Sequence, residues 1–167
     1  MNANMSTERL FLRSLDPKVD DFDNYLSWMR DLKTNSYIKS VREETTLEDL
    51  HSYVEFHNEA HNSLLLGIFL KSGFKHVGNI KLEPIVQGEE ATLGILIGEE
   101  EWRGKGIGFE VISRVIKYSF EELKLNRIQL GVDLNNIAAV RLYEKLGFEP
   151  EEKNQASSGI MMSLKKY

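Results

Sequence analysis

The segment Ala91–Phe109, ATLGILIGEEEWRGKGIGF, decides how the chain is read. A strand-like apolar run, Ala91–Gly98, leads into a glycine-rich loop, RGKGIG over Arg103–Gly108, and then into residues spaced as a helix. Glycine admits positive φ and close approach of a ligand, while the start of a helix offers unpaired N–H groups at the positive end of its dipole. Together they form a cradle for a phosphate-bearing ligand, to which Arg103 and Lys105 add positive charge. Gly94 and Gly98 suit a bulged or splayed strand.

Working outward, Val111, Ile112, Val115, Ile116 and Leu123 mark one face of a helix after the loop, and Arg127–Asp133 alternates as a strand. Asn135 or Asn136 can cap a short helix carrying Ala139, Leu142, Tyr143 and Leu146 and closing at Gly147, and Gly159–Leu164 is a last strand. Upstream lie a strand within Glu8–Arg13 and a helix from Phe22 to about Lys33. A second helix runs toward Ala60 from a capping box at Thr45 and Glu48, and a hairpin spans Leu64–Leu70 and Lys75–Leu82. The order β, α, α, three strands, α, β, α, β contains no repeat and no linker. It predicts one α/β sheet domain over residues 1–167.

Composition narrows the partners. The 167 residues are 41% hydrophobic and 28% charged, which is ordinary for a globular protein. A net charge of −5 argues against nucleic acid or an anionic membrane as a partner. The chain has no cysteine, so thiolate metal sites and a Cys nucleophile are excluded. MNANMSTERLFLRSL lacks a signal-peptide core and no run is long enough to span a membrane, so a cytoplasmic protein is expected.

The cradle is neither of the common nucleotide motifs. Lys105 is followed by Gly106 rather than Ser or Thr, against a Walker A loop, and the third glycine of a dinucleotide fingerprint is replaced by Phe109 or Val111. The pattern met is Arg103, Gly106 and Gly108, as RxxGxG, followed by NNIAAVRLYEKLGF over Asn135–Phe148. In these motifs the chain resembles the GNAT superfamily of acetyl-CoA-dependent N-acetyltransferases, in particular the branch with ribosomal-protein N-terminal and bacterial amino-sugar acetyltransferases. The resemblance implies a mixed, mostly antiparallel sheet of about six or seven strands with a splayed pair, covered by about four helices.

It also implies roles. Backbone amides of Arg103, Gly104, Lys105, Gly106, Ile107 and Gly108 would hold the coenzyme A pyrophosphate. Ile95, Leu96 and Ile97 would offer free amides to the pantetheine arm and to the thioester oxygen, and Asn136 and Ala139 would line the thioester end. Tyr143 would be the acid that protonates the departing thiolate. Glu90 would be the base, against the alternatives of a solvated turn residue there, Glu83, or a water chain.

Other constellations carry less. His57 and His61 stand four apart without a third ligand and read as a surface pair, so no metal is expected. Glu99, Glu100 and Glu101 read as a solvated turn, and Trp28 and Trp102 as packing residues, with Trp28 able to border an acceptor pocket. Without a Cys or a Ser in a nucleophile elbow, acetyl transfer would be direct. The acceptor is a primary amine, such as an amino sugar, a polyamine or a polypeptide N-terminus. It would be met by Thr34–Glu44, with Lys39, Arg42, Glu43 and Glu44, and by Glu149–Ser158. An edge strand at Gly159–Leu164 would allow a homodimer. The alternative is a non-catalytic acyl-CoA-binding sensor or interaction module.

Overall fold

Leu64–Leu70 is buried at every position, because this strand lies inside a sheet covered by helices on both faces. The computed structural model describes residues 3–31, 36, 44–151 and 159–167. Among these, the strands are β1 (Met5–Ser6), β2 (Leu10–Arg13), β3 (Leu64–Leu70), β4 (His76–Val86), β5 (Glu90–Ile97), β6 (Arg127–Asp133), β7 (Glu149–Pro150) and β8 (Gly159–Lys165). The α-helices are α1 (Asp23–Arg30), α2 (Leu47–Glu59), α3 (Ile107–Glu121) and α4 (Ile137–Lys145), and Glu100–Trp102 is a 3-10 turn.

All eight strands form one sheet in the order β1-β2-β3-β4-β5-β6-β8-β7. Six are those marked by hydrophobic pattern. The other two, β1 and β7, have two residues each, too few to leave a period in the sequence. β8 is not an edge strand, since it lies between β6 and β7, so the dimer expected from its free edge loses that support. The second helix is capped by Thr46 rather than Thr45: its hydroxyl accepts the Asp49 N–H and the Asp49 carboxylate accepts the Thr46 N–H.

Strand alternation sends side chains to two cores. Leu66, Ile68, Ile80, Leu82, Ile128 and Leu130 pack with Ile107, Val111, Ile112 and Val115 of α3 in the larger. Leu65 and Phe69 pack with Tyr25 and Trp28 of α1 and Leu50 and Val54 of α2 in the smaller. Among the described residues no helix is long and apolar enough to cross a membrane.

One pairing is incomplete. β5 is paired antiparallel with β4 from Glu90 to Ile97, but parallel with β6 only from Glu90 to Thr92, opposite Arg127 to Gln129. Past Thr92 the two strands part into a fork.

At the far end of β5, the indole of Trp28 lies directly on Gly98. A Cβ there would stand 1.9 Å from Trp28 Cδ2. Trp28 is buried, and its Nε1–H donates to Glu99 Oε1 at 3.0 Å. Neither ring nor backbone can retreat, so Gly98→Ala is expected to lower unfolding free energy by about 1–3 kcal/mol, measured by urea denaturation.

Candidate active site

The fork opens a cavity of about 890 Å³ that passes through the sheet. Strand parity assigns its walls. Ile128, Leu130 and Val132 point under α3 and α4, so Gly131 and Asp133 face α1 and α2; by the same rule Ile80 and Leu82 leave Asn79 and Lys81 on the α1/α2 side. The α3/α4 side of the cavity is lined by Leu93, Ile95, Val132, Ala139 and Tyr143. The α1/α2 side carries Tyr25, Met29, Asp49, Tyr53, Asn79, Lys81, Asp133 and Met161, with Glu151 beside Met161.

Charge on that second side is unbalanced. Among the described residues this wall carries the carboxylates of Asp49, Asp133 and Glu151 against the one cation Lys81, with Lys81 bound to Glu83 at 2.7 Å and Glu151 paired to Arg127. The local field therefore favours a cationic guest.

The glycine loop follows the end of β5 and lies against α4 through Gly108, and none of residues 103–109 lines the cavity itself. Gly106 caps α3 with φ +81°, a left-handed conformation that a side chain would resist. Because the first turn closes with Glu110 N–H on Gly106 C=O, the N–H groups of Ile107, Gly108 and Phe109 have no carbonyl within the helix to bond. The side chain of Ile107 is buried in the core, and Gly108 lies against Leu142 of α4, so both present backbone alone. Gly104, with φ +69°, and Lys105 are exposed.

Charged residues brace this loop in ways the linear sequence conceals. Arg103 donates Nε–H to Ile97 C=O at 2.9 Å and Nη2–H to Gly98 C=O at 3.0 Å, tying the loop to the end of β5. Lys105 Nζ lies 5.1 Å from the Trp102 ring centroid. The cation against the loop backbone is Arg9, whose Nη1–H donates to Lys105 C=O at 3.0 Å. Glu110 holds Arg9 by accepting from its N–H at 2.9 Å and from its Nε–H at 2.7 Å. Burial opposes the charge on Glu110, but hydrogen bonds from Thr7 and Arg9 hold its carboxyl below the usual range. Sequence reasoning missed Arg9 and Glu110; they are 101 residues apart and share no motif.

Tyr143 is placed at the cavity by α4, whose N-cap is Asn136. The Asn136 side-chain oxygen accepts the Ala139 N–H at 3.2 Å and so caps the helix at the cavity wall. Tyr143 is 8% exposed and packs edge-on against Phe148. Burial pushes its phenol up to about 12. Ile95, Leu96, Asn136, Ala139 and Tyr143 thus share one cavity; Ile97 ends β5, with its carbonyl held by Arg103.

Glu90 is not brought there. It sits at the closed end of the fork, where β5 and β6 are still paired, and its carboxylate takes a hydrogen bond from Arg127 at 2.8 Å. Arg127 also bonds Glu151. Glu83 likewise lies outside the lining, between Lys81 and His57.

One further reading changes and two are refined. His57 is 2% exposed, with Nδ1 bound to Ser63 Oγ at 2.6 Å, so it is a core residue rather than half of a surface pair. The turn Glu99–Glu101 is exposed at Glu100 and Glu101, and Glu99 and Glu101 both pair with Lys75. Trp28 packs on Gly98 and His76 and does not line the cavity. Lys39, Arg42 and Glu43 lie outside the described residues, as does most of Glu149–Ser158. Among the described residues no cluster of three or more His, Asp or Glu could hold a metal ion.

The model of the acetyltransferase (GNAT) domain family matches residues 9–149. The chain belongs to the GNAT acetyltransferase family. Its curated relatives include the "Probable N-acetyltransferase YjcK" of Bacillus subtilis, 36% identical over 56% of this chain; the chain spans about half of that relative, 54% of its length. The spermidine N(1)-acetyltransferase of Vibrio cholerae is 30% identical over 75% of this chain and 74% of its own. Two solved GNAT folds overlay nearly the whole chain. A Bacillus anthracis acetyltransferase has a TM-score of 0.82 at 21% identity, covering 98% of each chain. The Vibrio cholerae spermidine N-acetyltransferase in complex with CoA and spermine has 0.81 at 24%, covering 93% of this chain and 95% of its own.

The raised phenol of this GNAT chain has a stability consequence with a definite sign. A folded pKa above the unfolded value of about 10 contributes stability in full below pH 10, which is lost as pH rises toward 12. The unfolding free energy of wild type relative to Tyr143→Phe should therefore shrink by about 1 kcal/mol between pH 8 and pH 11, as measured by denaturant titration.

Proposed function

We propose that this protein transfers the acetyl group of acetyl-CoA directly to a primary amine of a small cationic molecule. The observation that carries the reading is the forked cavity itself, which meets a buried phenol on one side of the sheet and three carboxylates on the other, while the unpaired amides at the start of α3 stand beside α4, which carries that phenol. The named activity of the Vibrio cholerae spermidine acetyltransferase supports an amine of this class.

The residues divide the work by position. Amides 107–109 and the helix terminus behind them bind the pyrophosphate, with Arg9 and Arg103 keeping the loop in shape. Along β5 from Leu93 to Ile97, the edge facing the fork has no strand partner, so its backbone groups can pair with the pantetheine arm. An N–H of that edge near Ile95–Ile97 faces the thioester oxygen as negative charge develops on it. Asp49, Asp133 and Glu151 draw in the acceptor cation.

Attack by the neutral amine nitrogen forms the C–N bond, and collapse of the tetrahedral intermediate breaks the C–S bond. The thiolate then takes the phenolic proton of Tyr143, and the proton shed by the amine returns through solvent. A phenol near 12 is a weak acid toward a thiol of about 8.5 in water. The apolar surroundings that raise the phenol raise the nascent thiolate in the same direction, which narrows the mismatch. With Glu90 engaged by Arg127 outside the cavity, the route for the amine's proton is water at the cavity carboxylates.

Thiol release with a panel of amines tests the reading. Tyr143→Phe should lower turnover about 10²-fold with acetyl-CoA affinity by calorimetry unchanged, whereas Glu90→Gln should retain most of the activity. Double-reciprocal plots should intersect; parallel lines, or CoA binding without turnover on any amine, would count against direct transfer.

A further inference from the structure

Gly67, Gly78, Gly94 and Gly131 lie inside β3, β4, β5 and β6, one in each strand. Glycine weakens the interior of a strand, so each of these positions carries a cost. Packing accounts for the first two. A Cβ at Gly67 would stand 2.6 Å from Leu15 Cδ2, and one at Gly78 would stand 2.2 Å from the Leu96 carbonyl oxygen. Packing does not account for the others. A Cβ at Gly94 would meet nothing within 4 Å, and at Gly131 the nearest atom, Met161 Sδ, would lie at an ordinary 3.5 Å. Neither residue has a positive φ. Both are exposed although β5 and β6 stand in the middle of the sheet, and both line the cavity.

Register sets these two glycines opposite each other. On the α1/α2 face, β5 and β6 are joined by Glu90 with Arg127 at 2.8 Å, and then by Gln129, whose Nε2–H donates to the Thr92 hydroxyl at 3.1 Å. Two residues further along each strand, where the pairing has ended, come Gly94 and Gly131. Lys81 pairs with Gly94 on the one side, and Met161 pairs with Gly131 on the other. In that row Lys81 and Met161 are three strand spacings apart, at least about 14 Å, and no side chain stands between them.

Asp49 and Tyr53, one helical turn apart on α2, line the same space. A straight chain needs a lane no wider than itself, whereas a floor cleared across two strands takes a broader body. We infer that Gly94 and Gly131 are the floor of the acceptor subsite and decide its width, so that primary amines carried on a ring or a branched carbon are admitted beside straight-chain ones. This rests on the amine-transfer reading and specifies which amines the site takes.

The test compares kcat/KM of the full chain, at saturating acetyl-CoA, for two pairs of amines matched in charge: diaminocyclohexane against putrescine, and glucosamine against ethanolamine. Wild type should take the ring member of each pair with at least about a tenth of the kcat/KM of its straight partner. Gly94→Ala should lower the ring-to-chain ratio about tenfold in both pairs, and Gly94→Val should lower it further. Gly131→Ala, on the opposite prong, should act in the same direction and tests the floor by itself if a Gly94 variant misfolds. The urea midpoint of Gly94→Ala should hold or rise, because alanine leaves the unfolded chain fewer conformations. A lower midpoint would mean that this glycine serves the fold, and a raised KM for acetyl-CoA would place it beneath the coenzyme. Either result, a wild type confined to the straight chains, or unchanged ratios in the variants would overturn this inference and leave amine transfer standing. No thiol release with any amine would overturn both.

Discussion

β5 and β6 are hydrogen-bonded for three residues and then part, and the candidate site exists because they do. A sheet that stayed paired would have no passage between its two helical layers, and the backbone of residues 93–97 would be spent on its neighbour. The separation is held at both ends. At the closed end Arg127 on β6 joins Glu90 of β5 and Glu151 after β7. At the open end Arg103 fastens the glycine loop to the last carbonyls of β5, and Trp28 wedges onto Gly98.

This arrangement places opposite demands on opposite faces. The α3/α4 face needs backbone amides, a helix terminus and a phenol in apolar surroundings, and it has them in residues 106–109 and Tyr143. The α1/α2 face presents side chains instead, and their charges are sorted by strand parity: Asp133 alternates with Val132, and Asn79 and Lys81 with Ile80. A ligand reaching through the fork meets hydrocarbon and backbone first and charge second.

Much of this was legible along the chain. The glycine loop and the NNIAAVRLYEKLGF run are local, since a glycine turn at a helix start and a capped helix are built from neighbouring residues, and the two helices begin where the sequence places them. The long strands followed from hydrophobic period. What escaped was either too short to have a period, as with β1 and β7, or depended on register. Thr46 rather than Thr45 caps α2 because the cap belongs to the residue whose backbone leaves the helix, a one-residue distinction that spacing alone does not make. His57 read as half of a surface pair because its partner, Ser63, lies beyond its own helix and leaves no mark in the helical spacing.

By itself, then, the sequence determined the class of fold, the glycine turn that opens α3 and the place of Tyr143 on a short helix capped by Asn136, because each is encoded by residues close to one another along the chain. Only the tertiary structure decided that Glu90 stands apart from the cavity and that Arg9 braces the loop. The reason is geometric: strand register, a bulge and the point at which two strands part are set by the packing of the whole sheet, and contacts between residues ninety or more apart, such as Arg9 with Lys105, leave no mark in local pattern.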